Sequence, residues 1–224
     1  MFETDESGSK SDRTRARISA AAIDSFIERG YADTTMRLIA ERAGVSVGNA
    51  YYYFPSKNHL VQELYERVQH QHADLARPRL QDASTLIDRL RVVFCAGMET
   101  LEPYRRSAPG FLTAMVTPDS PINPLASESA PARDLTVSLF REAVGGSTHR
   151  LPADIADLLP DAMFIAYLAL TLRWTYDSSP GQKATSRLLD AGLQVLSLSL
   201  PFVRVPGVHG AVRSLLSSVV EVTA

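Results

Sequence analysis

Apolar residues recur at helical spacing along almost the whole chain, and no segment shows the strict alternation of a half-buried strand. Ile18, Ala22 and Phe26 stand four apart, flanked by Ala21, Ile23 and Ile27, and predict a first helix ending at Gly30. Thr34 and Thr35 are cap-forming residues ahead of a short second helix holding Leu38, Ile39 and Ala43. Gly44-Val45-Ser46 separates it from a third helix over 47–54, which Pro55 stops. Ser56 then opens a long fourth helix with Leu60, Leu64 and Val68 on one face.

Beyond about residue 79 the same reading gives a helix over 84–101 with Leu86, Leu90, Phe94 and Leu101 inward. A proline-rich stretch over 103–131 carries a short helix around 111–116. Asn123-Pro124 and Ser179-Pro180 each place a capping residue before proline and predict helix starts near Leu125 and Gly181. Another helix runs from about Pro152 to Tyr176 with Pro160 early in it. Leu189, Leu193, Leu196, Leu200 and Val203 form a heptad-like stripe, and Val208, Val212, Leu215 and Val219 repeat the spacing in a final helix. The expected fold class is all-α.

The composition, 45% hydrophobic and 21% charged over 224 residues, is that of a globular chain. Cys95 is the single cysteine, which excludes an internal disulfide and an all-thiolate metal site. The longest apolar run, 162–172, stops at Arg173 and falls short of the ~20 residues of a membrane helix. A soluble, cytoplasmic protein is expected, with no metal and no cofactor. The net charge of −2 hides a distribution. Residues 1–12 carry −3 and read as a flexible acidic tail; residues 13–57 carry seven basic against four acidic side chains, or +3; the rest carries −2.

Residues 34–54, TTMRLIAERAGVSVGNAYYYF, have the form of a helix-turn-helix. Small or aliphatic Leu38, Ile39, Ala40, Ala43, Val45 and Ala50 allow two short helices to pack closely, and Gly44 suits the sharp turn. Ser46 can cap the third helix and offer its hydroxyl to a phosphate. Consecutive helical residues point ~100° apart, so Tyr51, Tyr52 and Tyr53 cannot all face the core. Phenolic hydroxyls bond phosphates, and asparagine, here Asn49, suits adenine in the major groove.

With the pattern T-x-x-x-I-A-x-x-A-G-V-S-x-G-x-x-Y-x-Y-F-x-S-K-x-x-L, residues 13–60 resemble the DNA-binding domain of TetR-family (tetracycline-repressor-like) transcriptional regulators. The resemblance implies a DNA-binding domain over 13–57 and a helical ligand-binding and dimerisation domain over 58–224. It implies a phosphate contact at Thr35, a base or phosphate contact at Arg37, and base contacts at Val47, Gly48 and Asn49. Tyr51 and Tyr52 would meet phosphates or base edges, and Lys57 would grip a phosphate, with Arg13 and Arg17 able to reach the backbone. It also implies a non-enzymatic repressor, a homodimer on a palindromic double-stranded operator, and release by a small effector molecule.

Large, soft residues in the second part are the candidate effector contacts: Phe94, Met98, Phe111, Met115, Phe140, Met163, Tyr167 and Trp174. They suit a largely apolar ligand, with Tyr167 or Trp174 as a polar handle. Cys95 reads as a buried small hydrophobe. Family analogy places the dimer interface on the last two core helices, with Leu189, Leu193, Leu196 and Leu200 as candidates. The final helix reads as cover for the dimer interface or for the ligand entrance. Two other readings stand beside this one: a DNA-binding regulator gated by a protein partner, and a helical enzyme, for which no Gly-x-Ser-x-Gly, phosphate-loop or His-Glu-x-x-His motif is present.

Overall fold

A computed structural model describes residues 9–105, 108–115, 120 and 122–221, without the side chains of 113 and 114. Val116, within the short helix expected around 111–116, and most of the acidic tail lie outside these residues. Among the described residues the regular structure is helical: α1 (Lys10–Asp33), α2 (Met36–Arg42), α3 (Val47–Tyr53), α4 (Lys57–Asp82), α5 (Leu86–Leu101), α6 (Ala108–Met115), α7 (Ala130–Gly145), α8 (Ala153–Thr175), α9 (Lys183–Ser199) and α10 (Pro206–Val220).

The chain forms two compact units. The first holds residues up to Tyr65 together with 106–123; the second holds 66–105 and 124–224. The division falls at Tyr65 rather than after Lys57, because the first turns of α4 serve the first unit: Leu60, Val61 and Leu64 are buried. Residues 106–123 join that unit because Phe111 of α6 packs edge-on against Phe26 of α1, with ring centroids 5.5 Å apart. No hydrophobic periodicity marks so short an insertion, so sequence alone assigned it to the other domain.

α1 begins at Lys10, inside the expected tail, because Ser9 and Asp12 form a capping box that satisfies two helix-terminal amides. It buries Ile18, Ala22 and Phe26 as their spacing predicts. Gly30, at φ +81°, breaks the helical path, and one further turn follows it. The Thr34 hydroxyl then donates to the Gly30 carbonyl at 2.7 Å, closing the corner.

In the second unit, α5, α7 and α8 build a core that includes Leu90, Phe94, Leu139, Phe140, Leu159 and Tyr167. α8 is 23 residues long and its most apolar 18-residue stretch has a mean hydropathy of 1.6, long and apolar enough by length and composition to cross a membrane. Its buried face, from Ile155 through Phe164 and Tyr167 to Trp174, makes it a core helix of this unit. The helix expected near Leu125 starts instead at Ala130, after a one-turn 3-10 helix over Ser127–Ser129, and Pro131 occupies its first turn. A similar 3-10 turn, Pro180–Gln182, precedes α9. α10 packs on α8, burying Leu216, while His209 and Arg213 reach the Asp154 carboxylate at 3.0 and 3.5 Å.

The leucine stripe of α9 faces inward. Leu193 and Leu200 are buried and Leu189 and Leu196 pack against the unit's own core, so the expected subunit face is corrected. The outward apolar positions are Leu188, Val195, Leu198 and Phe202, in another register of the same heptad. Cys95, expected to be buried, is exposed. Local desolvation pushes its thiol above the usual range, against the pull of Arg91.

Candidate nucleic-acid interface

Three short devices fix the helix-turn-helix. Thr35 caps α2, its side-chain oxygen accepting from the Leu38 amide at 3.2 Å. At the other end Val45 N–H donates to Ala40 O at 3.0 Å and Gly44 N–H to Glu41 O at 3.1 Å, with Gly44 at φ +64°. This pair of bonds around a left-handed residue is a Schellman cap, which uses up the carbonyls a helix end leaves orphaned. No heavy atom lies within 4 Å of a Cβ built on Gly44, so backbone conformation, not space, demands glycine. Ser46 caps α3 by accepting from the Asn49 amide at 3.2 Å.

These caps allow a tight hinge, and Ile39, Ala40 and Ala50 are wholly buried behind it. What remains outward is the predicted set: Thr35, Arg37, Ser46, Val47, Gly48, Asn49, Tyr51 and Tyr52 are all exposed. Tyr52 is 80% accessible, extreme for a ring that size in a folded domain. No heavy atom lies within 4 Å of a Cβ at Gly48, which leaves the start of α3 flat.

Tyr53, the third tyrosine, turns aside. Its hydroxyl lies 3.2 Å from the Ser11 hydroxyl and its ring meets Tyr52 edge-on at 5.2 Å. Nearby, Arg15 pairs with Glu63 at 2.7 Å and stacks over the Phe54 ring, fastening α1 to α4. In the sequence Arg15 is one of the seven basic side chains of 13–57, and nothing in its spacing separates it from Arg13 and Arg17. Arg42 makes a fork to Glu28, with the Glu28 carboxyl held below its ordinary value chiefly by that bond.

Lys57 is only half exposed. Its Nζ donates to the carbonyls of Tyr31 at 2.6 Å and Thr34 at 2.9 Å and sits 4.1 Å from the Tyr31 ring centroid. Desolvation lowers its pKa, against the attraction of Asp33. An ammonium has three donors, so one remains for an outside acceptor.

The candidate effector residues do not gather at one place. Phe94, Phe140 and Tyr167 form one aromatic group in the second unit, with Phe94 and Phe140 centroids 5.1 Å apart. His72 stacks on Tyr167 at 5.7 Å, and its Nε2 donates to the Val93 carbonyl at 2.8 Å. Burial lowers the His72 pKa, so the ring is a neutral core member. The Tyr167 hydroxyl is buried without a partner of good hydrogen-bond geometry, although the Thr171 side chain interacts with it. Met163 packs at the margin of the same core. Met98 and Trp174 instead line a groove of about 320 Å³ in the second unit, with Cys95, Leu170, Thr185 and Leu189. Phe111 and Met115 belong to α6 in the first unit. Among the described residues, no three His, Cys, Asp or Glu side chains are grouped to hold a metal.

The comparisons with known proteins agree with this geometry. Residues 18–64 match the family description of bacterial regulatory proteins of the tetR family, and 89–200 match the tetracyclin repressor-like C-terminal domain. The chain belongs to the TetR family. Over 52 residues it is 50% identical to an uncharacterised HTH-type transcriptional regulator of Mycobacterium tuberculosis (strain H37Rv), covering 23% of this chain and 24% of that protein. Over 62 residues it is 47% identical to the HTH-type transcriptional repressor KstR of Mycolicibacterium smegmatis, covering 27% and 30%. The chain thus matches about a quarter to a third of the length of these curated relatives. A TetR regulator structure from Nitrosomonas europaea superposes with a TM-score of 0.63 at 17% identity, covering 82% of this chain and 98% of that one. The chain is thus a transcriptional regulator of TetR type, with the family's DNA-binding model matched over 18–64.

Proposed function

We propose that this TetR-family regulator is a cytoplasmic repressor that binds a palindromic operator as a homodimer and is released by a small, largely apolar effector. The observation that carries the reading is the exposed face of Arg37, Val47, Gly48, Asn49, Tyr51 and Tyr52, held by capped helices with buried alanines behind it. A charge of +3 over residues 13–57 is small for phosphate binding, and a two-fold dimer doubles it. Two heads one DNA turn apart, ~34–36 Å, read an inverted repeat. The repressor reading is supported by the name of KstR, to which the DNA-binding region is similar.

The effector reading is supported by the buried Tyr167 hydroxyl, which has no well-formed hydrogen bond in a largely apolar core, and by the groove beside Trp174. A buried hydroxyl left unbonded costs about 1–3 kcal/mol, which a ligand acceptor can recover. Selection of duplexes from a random pool, followed by titration of the enriched duplex, tests the DNA half. Enrichment of an inverted repeat is expected; binding indifferent to sequence refutes it. Release of that duplex by apolar compounds, abolished by Tyr167→Phe or a bulkier residue at Met98, tests the effector half.

A further inference from the structure

We propose that Phe111 is a positioning residue for DNA binding: through Tyr31 it holds Lys57, and with it the phosphate contact at the start of α4. The inference rests on the DNA-binding reading above and adds to it a residue from outside the helix-turn-helix. Three contacts carry it. The Phe111 ring lies against two aromatic rings of α1, Phe26 at 5.5 Å and Tyr31 at 6.2 Å. Tyr31 is also held by Phe26 at 6.0 Å, which closes a triangle of three rings, and by its hydroxyl, which donates to the Asn58 side chain. Lys57 is then placed by Tyr31 twice over, by its carbonyl at 2.6 Å and by its ring at 4.1 Å, with the Thr34 carbonyl as third partner.

Lysine carries about 2 kcal/mol of rotamer entropy that a phosphate contact must overcome. Two carbonyls and an aromatic face remove that freedom in advance and leave one donor outward. The arrangement depends on Tyr31 keeping its place just after Gly30, where the helical path is broken, so that packing neighbours must hold the ring. Phe111, only 7% accessible, fills that role.

The test uses the full chain and a duplex enriched by the parent from a random pool, with Phe111→Leu, Lys57→Met and the double variant. Leucine keeps the slot apolar and removes the flat ring. Each single variant is expected to weaken binding about fivefold and to lower the slope of log affinity against log salt by close to one. Adding Phe111→Leu to Lys57→Met should change neither quantity by more than about twofold. Equal losses in both backgrounds, or an unchanged slope in Phe111→Leu, overturn the proposal. A DNA-free readout keeps the two readings apart. The chain has three lysines, Lys10, Lys57 and Lys183, so Cε resonances are few enough to assign. Lys57 should titrate below an ordinary lysine in the parent and move back up in Phe111→Leu. If the parent enriches no duplex, the DNA reading fails while this titration still decides the positioning. A Lys57 titration unmoved by Phe111→Leu overturns it.

Discussion

Leu193 and Val195 stand two residues apart on α9 and face opposite ways: Leu193 is 3% accessible and Val195 is 68% accessible. Leu198 and Phe202 continue the outward register at 66% and 57%. Val195→Glu should therefore give a folded monomer by sedimentation equilibrium, with an unchanged thermal midpoint for the isolated chain. Leu193→Glu should instead unfold the second unit, since a charge there has no partner and no water. A dimeric Val195→Glu protein would place the subunit interface elsewhere.

Asn49→Ala and Lys57→Ala should separate in kind. Asn49 lies exposed at the start of α3, where a side-chain amide meets base edges, so its loss should relax preference at one base pair by ~1–3 kcal/mol. Lys57→Ala should weaken binding to all duplexes alike and lower the salt slope by about one. It should also lower the thermal midpoint, because two carbonyls lose their donor. Competition titrations at several salt concentrations distinguish the two.

Asp177 links α8 to α9. Its buried carboxylate accepts from the Ser179 hydroxyl and the Thr185 hydroxyl, at 2.6 and 2.7 Å, and from both backbone amides. Those bonds, Ser179's first, hold its pKa well below the ordinary aspartate value. A depressed folded-state value means stability that is present above the unfolded carboxyl range, ~3.9, and lost as pH falls through the folded value. Asp177→Asn should therefore lower the thermal midpoint at pH 7, and the gap to the parent should shrink as pH falls below about 4. A gap independent of pH would contradict this.

Tyr167→Phe removes a buried hydroxyl that has no well-formed hydrogen bond. Urea melts should show a stability unchanged or raised, by up to about 1 kcal/mol, where the same change at a bonded tyrosine lowers it. A loss above that size would mean the hydroxyl is satisfied in solution.

The helix-turn-helix was legible because each of its features is local: two caps, one left-handed glycine and small residues within 20 positions of one another. The second unit was less so. The α9 leucines show a helix with one apolar stripe, but a stripe and its neighbour one register away, Leu188, Val195 and Phe202, have the same spacing. Which one faces the core depends on how α9 packs against the preceding helix α8 and against α5, far away in sequence. Phe111 was read as an effector contact for the same reason, since its partners Phe26 and Tyr31 are some 80 residues upstream. The expected helix start at Leu125 went to Ala130 because Pro131 satisfies the first-turn preference as well as Pro124 does.

The central claim is that the outward face of α3 reads sequence, and duplex selection by the parent and by Asn49→Ala tests it most directly. The account predicts that the parent enriches an inverted repeat and that Asn49→Ala enriches the same repeat with preference lost at one symmetry-related pair of positions. Identical enriched sequences from both proteins, or none from either, would contradict it.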